Sequence, residues 1–436
     1  VSSSKPAFAL LAVLLPAPAA TQDPLPRRAE FGVSLAPPAD GQNARIARVR
    51  PDTPAAREGL LAGDVVVRLN GIDGADARAL AAFRKLRAGD TLDLALQRDG
   101  RHFGKRLRAD PWPEESYDGV TVAYGAAASP RGYHVRTITT RPAHAPGRLP
   151  VLVFIPWLSC SPVELPLPSQ PADGWSLMMR DLVMRSGYVV VRVEKPGVAD
   201  SGGPDCSETD LEDDLAAYRA GIRFALALDS VDPQRLYLFG GSIGAALVPV
   251  LAREFPVKGL VASGGFSRSW IEHILGFERR RLTLSGLEAS KLNQAMKGFA
   301  DFYSLYLNGG RTPAEIAASR PDLAGLWYDE PAHQFGRRAA YYQQVQKLDV
   351  EGAWALARVP TLLLWGELDW IMGREDQERI ASIVDPALLR FVVRPGMNHH
   401  FETFPDAGAA FREEGGRYDA GAAATIVSWL REQVGR

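Results

Sequence analysis

The run Gly240-Gly241-Ser242-Ile243-Gly244 follows the apolar stretch Leu236-Tyr237-Leu238-Phe239 and precedes Ala245-Ala246-Leu247-Val248. A strand that ends in Gly-x-Ser-x-Gly and runs into a helix must turn sharply. The serine is then held in a strained backbone conformation with its hydroxyl presented. Positions two before and two after it call for glycine, because a Cβ there would strike the neighbouring strand or helix. Such a turn demands an α/β architecture, and the rest of the chain agrees. Residues 120–124 and 133–140 read as a leading pair of strands, and 151–155 and 188–193 as buried strands. Residues 175–186 and 211–228 read as helices, 259–262 as a further strand, and 420–433 as a last helix. Strands alternating with helices predict a mostly parallel sheet with helices on both faces. From about 266 to 356 the pattern breaks into a helical stretch rich in Arg and aromatics, read as an inserted cap. The parallel pattern resumes at 361–365 and 389–393.

A serine hydroxyl is a weak nucleophile; it needs a base, and the base needs an acid to orient it. Gly366-Glu367-Leu368-Asp369 follows one late strand, and Pro395-Gly396-Met397-Asn398-His399-His400-Phe401 follows the other. Both segments fall past carboxyl ends of sheet strands, the edge where sites of open α/β sheets lie. In order and placement the chain over 118–436 resembles an α/β-hydrolase. The resemblance implies Ser242 as nucleophile, Asp369 as acid and His399 as base. His400 is the rival to His399, and spacing from Gly396 favours His399. Glu367 is the rival to Asp369 but falls too early. His102, His134, His144, His273 and His333 read as surface or packing residues. The resemblance also implies two backbone donors for a developing oxyanion. Ile243 is one, and the other comes from Pro156-Trp157-Leu158-Ser159-Cys160. Many relatives carry His-Gly there; Pro156-Trp157 departs from that, and Leu158 is favoured over Trp157.

Upstream, Pro51-Asp52-Thr53-Pro54-Ala55-Ala56, Gly59-Leu60 and Gly63-Asp64-Val65-Val66-Val67-Arg68-Leu69-Asn70-Gly71 stand in a compact segment. Residues 29–110 resemble a PDZ domain of the bacterial periplasmic-protease type, a small mixed α+β fold. Asn70-Gly71 supplies a tight turn, 77–86 has helical spacing and 91–98 alternates like a strand. The resemblance implies that Phe31-Gly32-Val33 offers backbone N–H groups to a peptide's C-terminal carboxylate. Residues 111–117, which open with Pro111-Trp112-Pro113-Glu114-Glu115, read as a stiff polar linker.

The N-terminus carries Lys5, an apolar run from Ala7 to Leu15 and Ala17-Pro18-Ala19. Residues 1–20 therefore read as a secretory signal peptide, since the apolar run is too short to span a bilayer. The expected location is periplasmic or secreted. The two cysteines, Cys160 and Cys206, are then expected to form a disulfide that ties the oxyanion loop to the loop after the next strand. A net charge of -1 argues against a nucleic-acid partner. No metal-ligand spacing and no phosphate-binding loop is present, so no cofactor is expected; Asp200-Ser201-Gly202-Gly203-Pro204 reads as a surface turn. The expected substrate is a carboxylic ester. A peptide is the alternative, which the N-terminal module favours, and an inactive adaptor is the third reading.

Overall fold

The computed structural model describes residues 25–36, 42–167 and 170–434. The expected signal peptide lies outside the described residues. An eight-stranded sheet forms the centre of the larger domain. Its strands are β1 (Val120–Ala128), β2 (His134–Pro142), β3 (Leu149–Ile155), β4 (Val189–Val193), β5 (Val231–Gly241), β6 (Val257–Ser263), β7 (Thr361–Gly366) and β8 (Leu389–Arg394). Their order is β1-β2-β4-β3-β5-β6-β7-β8. The β1–β2 and β2–β4 pairs are antiparallel and the pairs from β4–β3 to β7–β8 are parallel. This is the α/β-hydrolase fold expected from the sequence, mostly parallel and with an antiparallel start.

The middle of the sheet is built from apolar runs, Val151–Ile155, Leu236–Phe239 and Leu362–Leu364, because both of its faces are covered there. Val151, Val153, Leu236 and Leu238 join one core, and Leu152, Phe154, Tyr237 and Phe239 join the other. On the first face lie α2 (Leu211–Leu226) and α3 (Ile243–Ala252); on the second lie α1 (Gly174–Arg185) and the terminal helix Ala420–Val434. The start of α2 is fixed by Asp210, whose side chain accepts from the Asp213 N–H in a reciprocal capping box. Asp173 caps α1 by accepting from the Ser176 N–H. The insertion between β6 and β7 is helical, with its longest helices at Trp270–Leu284 and Ala289–Tyr303.

The N-terminal lobe has a sheet in the order Val33–Ala36, Arg45–Val49, Val65–Leu69, Thr91–Arg98, Arg101–Arg108, with helices Pro54–Arg57 and Ala77–Arg84. Asn70 and Gly71 both have positive φ (45° and 81°), the hairpin turn expected of Asn-Gly. The lobe is rooted in a two-stranded pairing of Ala29–Glu30 with Asp110–Pro111.

The lobe and the larger domain meet through charges. Arg27 pairs with Asp200 and, at 2.6 Å, with Glu164; Arg28 reaches Glu164 at 3.0 Å and Lys85 reaches Asp205 at 3.1 Å. Asp200 also takes the fully buried Arg136 at 3.0 Å. The segment 200–204 is therefore no plain surface turn: Asp200 and Ser201 are buried, because Asp200 answers two guanidinium groups at once. Within 111–117, Glu115 and Tyr117 lie against the larger domain. Glu115 is buried on Arg192, a charge inside β4, at 2.7 and 2.8 Å.

Candidate active site

At the end of β5, Ser242 has φ 57° and ψ -124°, a strained conformation that heads straight into α3. A Cβ on Gly240 would lie 2.2 Å from the Gly244 carbonyl oxygen, and one on Gly244 would lie 2.1 Å from that of Ile155. Both glycines are thus required by close approach. The Ser242 N–H donates to the Ser263 oxygen at 2.9 Å, which fastens the turn to the end of β6.

Asp369 follows β7 and His399 follows β8. Asp369 Oδ2 stands 2.8 Å from His399 Nδ1. Its other oxygen accepts from the Ile371 and Met372 N–H groups at 3.0 and 2.8 Å, so the carboxylate cannot rotate freely. With Nδ1 engaged, Nε2 is the ring nitrogen left to take a proton. Gly264, directly after the Ser263 that holds Ser242, packs against the pair: a Cβ there would be 3.0 Å from Asp369 Oδ2 and from His399 Nδ1. The Ser242 turn, Asp369 and His399 therefore converge at the carboxyl edge of the sheet. All three are buried, with 7, 4 and 9 % of their surface exposed. Trp175 forms a wall, its ring 6.3 Å from that of His399 and 4.6 Å from that of Phe401.

The rivals are occupied elsewhere. His400 Nδ1 lies 3.2 Å from Glu413, and Glu367 accepts from the Gly396 N–H at 3.0 Å. His273 is buried among Phe266, Trp270 and Asp376, and His333 pairs with Glu208.

Ile243 is the first residue of α3, so its N–H is among those a helix leaves without an internal acceptor. The loop after β3 presses on the same helix start through Ile155 and Pro156. Leu158, half-buried in that loop, gives its carbonyl to Arg337 at 3.3 Å. Trp157 packs on Phe154 and Trp175, and its buried indole N–H has no partner among the described residues. Cys160 and Cys206 are joined in a disulfide, Cα–Cα 5.8 Å. The same loop is held further along, where the Val163 N–H donates to Glu194. Burial pushes the Glu194 carboxyl up to about 7 and the neighbouring Lys195 amine down to about 8.

In the N-terminal lobe, Val33–Ala36 is an edge strand, paired on one side with Arg45–Val49. Phe31 is buried against Phe83. The Gly32 N–H is already taken: it donates to the carboxylate of Glu30, which also pairs with Arg50. Among the described residues no group of three or more His, Cys, Asp or Glu could hold a metal ion, and no helix is long and apolar enough to cross a membrane.

Reading the sequence missed Glu30, Trp175 and Arg337. Each lacks a motif, and Arg337 meets its partners across more than a hundred residues.

Residues 29–103 match the family model of the PDZ domain. A probable periplasmic serine endoprotease, DegP-like, of Halomonas elongata is 33% identical over 98 residues. That match covers 22% of this chain and 21% of the relative, so the chain spans about a fifth of that protein's length. Among solved structures, the esterase domain of a Rhodothermus marinus protein is 18% identical with a TM-score of 0.43, covering 72% of this chain and 98% of its own. Est1E from Butyrivibrio proteoclasticus is 14% identical with a TM-score of 0.45, covering 72% and 99%.

Proposed function

We propose that the chain is an exported serine hydrolase that cleaves carboxylic esters through an acyl-enzyme. The observation that carries this reading is the oriented His399–Asp369 pair, packed through Gly264 against the strained Ser242 turn. Ser242 Oγ attacks the ester carbonyl while His399 Nε2 takes its proton. Asp369 holds the tautomer with the proton on Nδ1 and stabilises the imidazolium. The carbonyl oxygen becomes an oxyanion that the Ile243 and Leu158 N–H groups receive. His399 then returns the proton to the leaving alkoxide as the tetrahedral intermediate collapses to an ester on Ser242. Water, deprotonated by the same imidazole, attacks that ester, and His399 returns the proton to Ser242 Oγ as the acid leaves.

Export to the periplasm is supported by the disulfide, which a reducing cytosol would not maintain. A peptidase is the second reading, favoured by the edge strand Val33–Ala36, which a peptide could extend. Glu30 on the Gly32 N–H argues for an incoming chain that meets the edge strand without a free carboxylate seated in that loop.

The test is labelling with a fluorophosphonate probe, expected for the wild type and abolished in Ser242→Ala. Turnover of short-chain nitrophenyl esters against aminoacyl and prolyl amides then separates esterase from peptidase. A folded wild type that takes no label refutes the hydrolase reading and leaves an inactive adaptor.

A further inference from the structure

Arg337 belongs to the helical insertion, on the two-residue strand Arg337–Arg338 that folds back on His333–Gln334. Its side chain is fully buried. A guanidinium in such a place must be paired, since an isolated buried charge is strongly destabilising. Asp214 at the start of α2 supplies the counter-charge, with Oδ2 2.9 Å from Nη2. Nη2 also donates to Thr209 Oγ1 at 2.8 Å, and the centre of the group lies 4.2 Å from the Tyr341 ring centre. That would satisfy the charge. The other arm points elsewhere: Nη1 donates to the Leu158 carbonyl at 3.3 Å and approaches Cys206 Sγ at 3.5 Å.

These four partners lie on three separate segments. Leu158 is on the loop after β3, and Cys206 and Thr209 are on the turn that the disulfide ties to that loop. Asp214 belongs to the helix over the sheet. A rigid planar fork can span these partners at once, which a single ammonium cannot. We propose that Arg337 is a positioning residue for the oxyanion hole: it fixes the Leu158 backbone so that the Leu158 N–H meets the tetrahedral intermediate. The helical insertion thereby contributes to the transition-state site. This role rests on Ser242 acting as the nucleophile and Leu158 as an oxyanion donor.

Two variants test it. Arg337→Lys keeps the charge beside Asp214 and loses the fork. The double variant Arg337→Met with Asp214→Asn removes both charges, so that no buried carboxylate is left unpaired. Removing one oxyanion donor lowers kcat by about 100- to 1000-fold in serine hydrolases. A donor misaligned but still present should lower kcat and the rate of phosphonylation by roughly 10- to 100-fold. KM should stay within about threefold, because the ground-state carbonyl gains little from the hole. The pH profile of kcat/KM should not move, because His399 and Asp369 are untouched. A purely structural role would instead lower the melting temperature and raise KM, while the folded fraction, counted by tryptophan fluorescence, kept its kcat. Either variant turning over at the wild-type rate per folded molecule overturns the proposal. So does recovery of full kcat in Arg337→Lys, which would mean that charge alone matters. A wild type that fails to label overturns the Ser242 reading, whereas labelling of wild type and variants at equal rates overturns only the role of Arg337.

Discussion

Gly264→Ala should slow catalysis without replacing any reacting group. Gly264 has φ +56° and donates its N–H to the Leu364 oxygen at 3.2 Å. An alanine there carries two separate penalties. The left-handed backbone costs roughly 1–2 kcal/mol for a residue with a Cβ. The Cβ itself would stand 3.0 Å from Asp369 Oδ2 and His399 Nδ1, where ordinary contacts begin at 3.4 Å. The His–Asp pair must therefore retreat by about 0.4 Å from the position the glycine permits. Misplacement of a catalytic group by 1 Å can lower a rate about 100-fold, so this retreat should lower kcat on the order of five- to tenfold. The control is Gly132→Ala in the turn between β1 and β2. Gly132 has φ +89°, and a Cβ there meets nothing within 4 Å. It should share the loss of stability and keep its turnover. The assay is kcat on a nitrophenyl ester, normalised to fluorophosphonate-titrated sites, with thermal unfolding of each variant alongside. Equal turnover in the two variants would refute the claim that Gly264 sets the position of the pair.

Two further outcomes are expected. The disulfide spans a sequence separation of 46 residues, for which the chain-entropy argument gives about 4 kcal/mol of stability; Cys160→Ser with Cys206→Ser should lower the urea midpoint, and reduction should lower turnover before the fold melts. Unchanged turnover in the reduced, folded protein would show that the bridge does not stiffen the oxyanion loop. Glu194, raised by burial from 4.5 to about 7, contributes stability that is fully present below pH 4.5 and is lost as the pH rises through 7. Glu194→Gln keeps an oxygen for the Val163 N–H and should remove that fall between pH 4.5 and 7 in a denaturation series; an identical pH dependence would place the strain elsewhere.

The middle of the sheet was legible because its strands hold apolar runs between turn signals, and the run at 151–155 lies within the buried part of β3. The candidate site was legible for a related reason: its residues follow strand ends in a fixed order, and the glycines of the Ser242 turn announce close approach. What sequence hid were charges whose meaning is a distant partner. Arg192 stands in a run that reads as a buried strand, and its reason, Glu115, stands in a segment that reads as a polar linker. Asp200 looks like a turn residue until Arg27 and Arg136 arrive beside it from elsewhere in the chain. Burial of a charge is decided by tertiary pairing, which leaves no local periodicity. Glu30 is a smaller case: a capped N–H two residues away turns a loop that reads as open into one already filled.

The short pairing of Ala29–Glu30 with Asp110–Pro111 means that the chain enters and leaves the N-terminal lobe at one point. Topologically the lobe is a bead hung on a stalk, and no central-sheet strand passes through it. Below the stalk, Arg27 and Arg28 on one leg and Glu115 on the other stay clamped to the larger domain, while Arg28 stacks 4.0 Å over Trp112 and joins the two legs. The bead and its socket are thus separable. Replacing residues 31–109 with a two-residue hairpin turn would close the stalk on itself and leave the socket intact. The same socket could carry a different recognition module, and any tilt of the bead would be felt first at Asp205, which holds Lys85 next to the disulfide-bonded Cys206.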